Sequence, residues 1–235
     1  DNGMLNEAKT ALLKAFQFNE STGDWVNLAT CCDILCYLYD VQGNSADATK
    51  MAYEYLKINE KIGDKDAISH GIHMLASNYL ALGNNAEALK YFKQGLQLSQ
   101  ETGNKIEQIQ HSIDIGSIYL MEQKYDLAKP YHFAAVALAK ELNDAQLLAN
   151  SHFKLGIYHQ VTKDYPKAIE NFYLAEDYYQ SISNKQDLAS LYAQMGVVFT
   201  KQKKLALAKQ YFEKSKSLYI VLDSKLSMAD YYSGK

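Results

Sequence analysis

The stretch Leu155-Gly156-Ile157-Tyr158-His159, followed by Ala168 and Phe172, decides the fold, because it returns every 40 residues along the chain. Earlier copies are Leu35-Cys36-Tyr37-Leu38-Tyr39, Leu75-Ala76-Ser77-Asn78-Tyr79 and Ile115-Gly116-Ser117-Ile118-Tyr119, and a later one is Met195-Gly196-Val197-Val198-Phe199. Twelve residues after each small position comes an alanine: Ala48, Ala88, Ala128, Ala168 and Ala208, with Ala8 extending the series back. Four residues further on stand Phe92, His132, Phe172 and Phe212, with Ala52 and Leu12 as exceptions. No insertion interrupts the series, and a fixed period of this length marks a repeat architecture.

Turn signals fall between these segments every 20 residues, at Gly23-Asp24, Gly43-Asn44, Gly63-Asp64, Gly83-Asn84, Gly103-Asn104, Asn143-Asp144 and Ser183-Asn184. Glycine accepts the left-handed conformation that ends a helix, and the Asp or Asn after it can cap the next. Segments of ~17 residues between turns predict helices roughly 25 Å long. Pro166 falls near a helix start, where its missing N–H is harmless, and Pro130 lies deeper and is expected to bend its helix. Gly116, Gly156 and Gly196 each cost about 1 kcal/mol against alanine inside a helix, so close helix contact must compensate. Facing alanines such as Ala128 and Ala168 are expected to let the helices approach, with the ring at Phe92, Phe172 or Phe212 beside them.

The residues at Leu155-Gly156 and Tyr158, then Ala168 and Phe172, resemble the tetratricopeptide-repeat pattern L-G-x2-Y followed by A-x3-F. The resemblance runs the length of the chain. It implies an all-α fold, an α-solenoid of about 11–12 antiparallel helices in a right-handed superhelix. The family repeat is usually ~34 residues, and the extra length here falls between one unit's second helix and the next unit's first. The whole of 1–235 then reads as one array. Its parts are a second helix at 1–22, full repeats at 24–63, 64–103, 104–143, 144–183 and 184–223, and the start of another repeat at 224–235. Such ends are expected of a piece of a longer protein.

Composition narrows the function classes. The net charge is −3, and all 24 basic residues are lysines. Without arginine the chain lacks the planar fork that best reads phosphate and guanine edges, so nucleic acid is not an expected partner. Cys31, Cys32 and Cys36 lack a CxxC spacing or a nearby histidine and read as small buried apolar residues. No apolar run is long enough to span a bilayer. A cytoplasmic location is expected, or a periplasmic one if a signal or anchor lies outside these residues.

No phosphate-cradling loop, HExxH, GxSxG or nucleophile–base pair appears, so no catalytic residue and no cofactor is expected. His70 and His73 share a helical face, but no carboxylate or cysteine completes a metal set, and partner contact or pH sensitivity is the preferred reading. His132 takes an aromatic core position and reads as a satisfied structural histidine. His152 and His159 fall at packing positions, and His111 points one residue away from the groove rows.

The resemblance implies that the first helix of each repeat lines a concave groove where ligands bind. Counting from each small residue gives a wholly polar row, Thr30, His70, Gln110, Asn150 and Ser190, able to grip an extended peptide backbone through its amides. A second row holds Asp33, His73, Ile113, Phe153 and Ala193, a third Tyr37, Ser77, Ser117, Ile157 and Val197, and a fourth Asp40, Leu80, Leu120, Gln160 and Thr200. The candidate ligand-binding residues are His70, His73, Gln110, Ser117, Asn150, Phe153 and Ile157. An ordinary solvated groove reads from the same positions. The lysine–asparagine clamp of chaperone-tail binders is absent, because the corresponding pairs include Asp33/Tyr37 and Ile113/Ser117. The expected role is a protein- or peptide-binding scaffold, the sensory or recruiting module of a bacterial signalling regulator by resemblance of segments such as Leu56–Asp64. A receptor for a short signalling peptide, or a structural module associating through its terminal helices, are the alternatives.

Overall fold

The computed structural model describes the backbone of residues 2–232 and the side chains of residues 5–222. Among the described residues it contains eleven helices and no strand. They are α1 (Asn2–Thr22), α2 (Trp25–Val41), α3 (Ser45–Ile62), α4 (Lys65–Ala81), α5 (Asn85–Thr102) and α6 (Lys105–Met121), then α7 (Tyr125–Leu142), α8 (Ala145–Val161), α9 (Tyr165–Ser181), α10 (Lys185–Lys201) and α11 (Leu205–Tyr232). The even-numbered helices from α2 carry the small-residue motif and are the first helices of their repeats; the odd-numbered ones follow as second helices.

Helix starts follow the sequence closely. Asp24, Asn44, Asp64, Asn84, Asp144, Asp164 and Asn184 each accept a hydrogen bond from a backbone N–H of the first helical turn. Asn104 does the same for Glu107 N. Lys124 opens α7 without a side-chain cap. Helix ends are less legible. Five turns use Gly23, Gly43, Gly63, Gly83 and Gly103 at positive φ, as expected, but Gln123, Asn143, Lys163, Ser183 and Lys203 adopt φ of 52–65° in the later turns. The turns at Gln123, Lys163 and Lys203 carry no glycine or asparagine signal. Another departure lies near residue 223, where the 40-residue register expects a new helix. Instead α11 runs on to Tyr232. Residues 233–235 lie outside the described residues.

Packing resolves into two compact units, Asp1–His111 and Ser112–Lys235. In the first, Leu35, Cys36, Ala48, Ala52, Leu56 and Leu75 form a core between α2, α3 and α4. Cys31, Cys32 and Cys36 are all buried, as expected. Burial pushes the Cys32 thiol up to about 12 and Cys36 to about 11, so both stay protonated. In the second unit Phe172, Tyr179, Leu191, Met195, Val198 and Phe199 form the core of α8–α11.

The glycines have a sharper role than making room for alanines. A Cβ at Gly156 would lie 2.4 Å from Phe172, one at Gly196 2.7 Å from Phe212, and one at Gly116 2.8 Å from His132. Each glycine receives the ring 16 residues later, on the second helix of its own hairpin. The same interval joins neighbouring repeats in the first unit, where a Cβ at Gly95 would lie 2.2 Å from His111 and one at Gly71 2.9 Å from Tyr55. Gly95 and His111 therefore form a packing pair that the repeat pattern did not single out. The signal available was Gly95 itself, a glycine in the middle of a helix.

Candidate binding face

Within each unit, successive first helices lie against one another and bring their motif faces together. In the first unit His70 Nε2 approaches Asp33 Oδ1 at 3.6 Å, and Asn78 Nδ2 donates to Cys36 Sγ at 3.4 Å, joining α4 to α2. Asn104 Nδ2 donates to Asp66 Oδ1 at 3.1 Å, joining α6 to α4. In the second unit Gln160 Nε2 donates to Gln194 Oε1 at 3.1 Å, joining α8 to α10.

Of the candidate residues in the first unit, His70 leaves 44% of its side chain exposed and stands edge-on to Tyr55. The Asp33 carboxylate beside it holds its pKa above the ordinary histidine value. His73 sets its ring edge against Phe92 and His111. Gln110 is half-buried on α6. His111, one residue on, is fully buried, 3.3 Å from Ser69 Oγ and 3.4 Å from Glu107 Oε2. Burial brings its pKa down to about 3, with His73 adding in the same direction, so it is neutral near pH 7. Among the described residues, no group of three His, Cys, Asp or Glu side chains is placed to hold a metal ion.

In the second unit the face carries a hydrogen-bond relay. Tyr179 OH donates to Asn150 Oδ1 at 2.8 Å, and Gln146 Nε2 donates to the same oxygen at 3.0 Å. Gln146 is itself held from the next repeat, because Asn184 Nδ2 donates to its Oε1 at 3.1 Å. Asn184 caps α10, so the relay ties the orientation of Asn150 to the start of the following first helix. Two donors on Oδ1 fix the amide, and Nδ2 keeps both protons for an outside acceptor. Beside it, Phe153 packs on Phe172 and Tyr179 and remains half-exposed. Ser117 Oγ donates to Ile113 O at 2.8 Å, which leaves it only as an acceptor. Ile157 is half-buried on α8.

Some row positions belong to packing instead. Ile113 and Leu120 are buried. His132 is buried as expected but not satisfied, since neither ring nitrogen has a hydrogen-bond partner. His152 does have a partner, its Nδ1 lying 2.9 Å from Asn171 Oδ1. The sequence reading also missed the buried carboxylate of Glu176. It accepts from Tyr192 OH at 2.7 Å and Gln180 Nε2 at 3.2 Å, with Lys214 Nζ at 3.8 Å. No helix among the described residues is long and apolar enough to cross a membrane.

Stacked helical hairpins of this kind, with a small residue seating a ring, define a helical-repeat interaction scaffold. The tetratricopeptide-repeat family matches residues 66–141 and, through a second profile, 189–219. Those two segments of the chain carry tetratricopeptide repeats. Among solved structures it is similar to BtubC from P. vanneervenii, at 17% identity and a TM-score of 0.78, over 93% of this chain and 92% of that one. It is also similar to aspartyl phosphate phosphatase F from Bacillus subtilis, at 16% identity and a TM-score of 0.72, over 92% of this chain and 56% of that one. A third similar structure is a Rap protein complexed with competence and sporulation factor, at 17% identity and a TM-score of 0.72, over 94% of this chain and 60% of that one. At these identities the likeness is one of fold. A search of curated proteins finds no match.

Proposed function

We propose that this chain is the recruiting or sensory module of a signalling or regulatory protein, and that it holds an extended peptide or partner segment against the first-helix face of α8 and α10. Asn150 is the anchor. The observation that carries the reading is its amide, whose oxygen takes hydrogen bonds from Tyr179 and Gln146. An amide oriented in advance can donate to a peptide carbonyl without first losing its own freedom, which is how preorganisation raises affinity. Phe153 and Ile157 offer apolar contact for side chains of the same ligand. His70, His73, Gln110 and Ser117 extend the contact surface within their own units. The regulatory setting is supported by the likeness to a Rap protein solved with a bound factor. Binding, with no bond made or broken, is the role proposed.

Partners captured with the full chain and mapped to short peptides would be titrated calorimetrically into the wild type, Asn150→Ala and Tyr179→Phe. Asn150→Ala is expected to weaken binding about tenfold or more, as loss of a buried hydrogen-bond donor does at an interface. Tyr179→Phe, which frees the amide to turn, should weaken it less. Unchanged affinity in both variants would remove the first-helix face as the site.

A further inference from the structure

His132 holds the ring position that Phe92, Phe172 and Phe212 occupy in other repeats, yet it is an imidazole only 1% exposed. Nδ1 and Nε2 are both buried, and neither has a hydrogen-bond partner among the described residues. A phenylalanine would fill the same space against Gly116 without the penalty of desolvating two polar atoms. The imidazole is therefore unexplained by packing.

The ring is not sealed away. With Ser117, Leu120, Met121, Lys154, Ile157 and Val161 it lines a pocket of about 300 Å³. That volume lies at the lower end for ligand sites, and mostly aliphatic walls with a few convergent polar groups are their usual composition. Lys154 makes no ion pair among the described residues. Its cation is close enough to depress the basicity of His132, which burial brings down to about 4, while the Gly116 backbone opposes weakly without reaching hydrogen-bond geometry.

These groups select a ligand chemistry. A cation is disfavoured by Lys154, and a wholly apolar guest would leave the imidazole unpaired. A phosphate monoester brings about two charges against one lysine and no arginine. We propose that this pocket binds a short aliphatic carboxylate: Lys154 meets the charge, a ring N–H of His132 donates to a carboxylate oxygen, and Leu120, Ile157 and Val161 cover the stem. The carboxylate belongs either to a free acid or to the last residue of a peptide with an aliphatic side chain. The inference goes beyond the peptide reading and rests on His132 and Lys154, which that reading does not use.

The test titrates the full chain with 4-methylpentanoate by calorimetry, following the imidazole C–H resonances by NMR. Two further probes are a leucine-terminated pentapeptide as free acid and the same pentapeptide as amide. Saturable binding that moves the His132 resonances, weakens about tenfold or more in His132→Phe and Lys154→Gln, and is unchanged in Asn150→Ala, is the expected result. His132→Phe restores the ring of the other repeats, and Lys154 is partly exposed, so both variants should fold. Binding by 4-methylpentanoate identifies a small-molecule site; binding by the peptide acid alone, with the amide inert, identifies a chain terminus. Absence of saturable binding by any probe, or equal affinity in both variants, would overturn the proposal.

Discussion

The ring of Phe172 occupies the space that a side chain at Gly156 would need: a Cβ there would stand 2.4 Å from Cε1 and 2.5 Å from Cδ1. The ring is fully buried and is held by Ala149, Ala168 and the rest of the second unit's core, so it has nowhere to swing. The glycine therefore permits α8 and α9 to meet, and the helix-forming deficit is the cost of that contact.

Gly156→Ala should lower stability by up to about 2 kcal/mol, because overpacking of about 1–3 kcal/mol is offset only in part by the helix gain of about 1 kcal/mol. Gly196→Ala should be closer to neutral, since Phe212 is 42% exposed and can shift. Ala168→Leu should cost about 1–3 kcal/mol by the same overpacking. Urea unfolding of the three variants checks the order, and equal effects at Gly156 and Gly196 would contradict it.

Lys163 sits at φ 65°, in a conformation that suits glycine. Lys163→Gly is expected to raise stability by about 0.5–1 kcal/mol, with relief of the left-handed strain partly offset by a freer unfolded chain. Gly83→Ala, at φ 75°, should lower it by a similar amount. Thermal melts at matched pH would compare them.

Acid sensitivity should trace to buried histidines. His132 has a folded pKa of about 4, depressed first by burial and then by Lys154, against an ordinary value of 6.5. The unfolded chain thus binds the proton more readily. Stability is complete above the unfolded pKa and falls as pH drops from about 6.5 toward 4, by roughly 2 kcal/mol at pH 5. In His132→Phe that part of the loss should vanish, which melting temperatures at pH 7.5 and 5 would detect. An unchanged pH slope would mean that His132 gains a partner on protonation.

Tyr192 donates to the buried carboxylate of Glu176 at 2.7 Å. Tyr192→Phe should destabilise by about 1.5–3 kcal/mol, the range for a hydrogen bond to a charged group. Denaturant unfolding would measure it, and a neutral result would show that Gln180 and Lys214 suffice for the carboxylate.

The period, the helices and the buried rings are legible in the sequence because one packing contact recurs at one interval. Turns at Gln123 and Lys163 are not, since the geometry of closing a hairpin sets a positive φ there whatever residue stands in place. The polar row was legible at Asn150, but not what orients it. Tyr179 lies 29 residues further along, on another helix, and only the stacking of α8 on α9 brings its hydroxyl to the amide. His132 shows a further limit: its position in the core follows from the repeat, whereas its lack of a hydrogen-bond partner depends on a pocket wall that no periodicity encodes.

Photo-crosslinking tests the binding face most directly. A benzophenone amino acid is placed at Ile157 on the first helix α8 or at Leu174, exposed on the second helix α9, and the partner is added. The account predicts capture from position 157 and none from position 174. Capture from position 174 with none from 157 would contradict it.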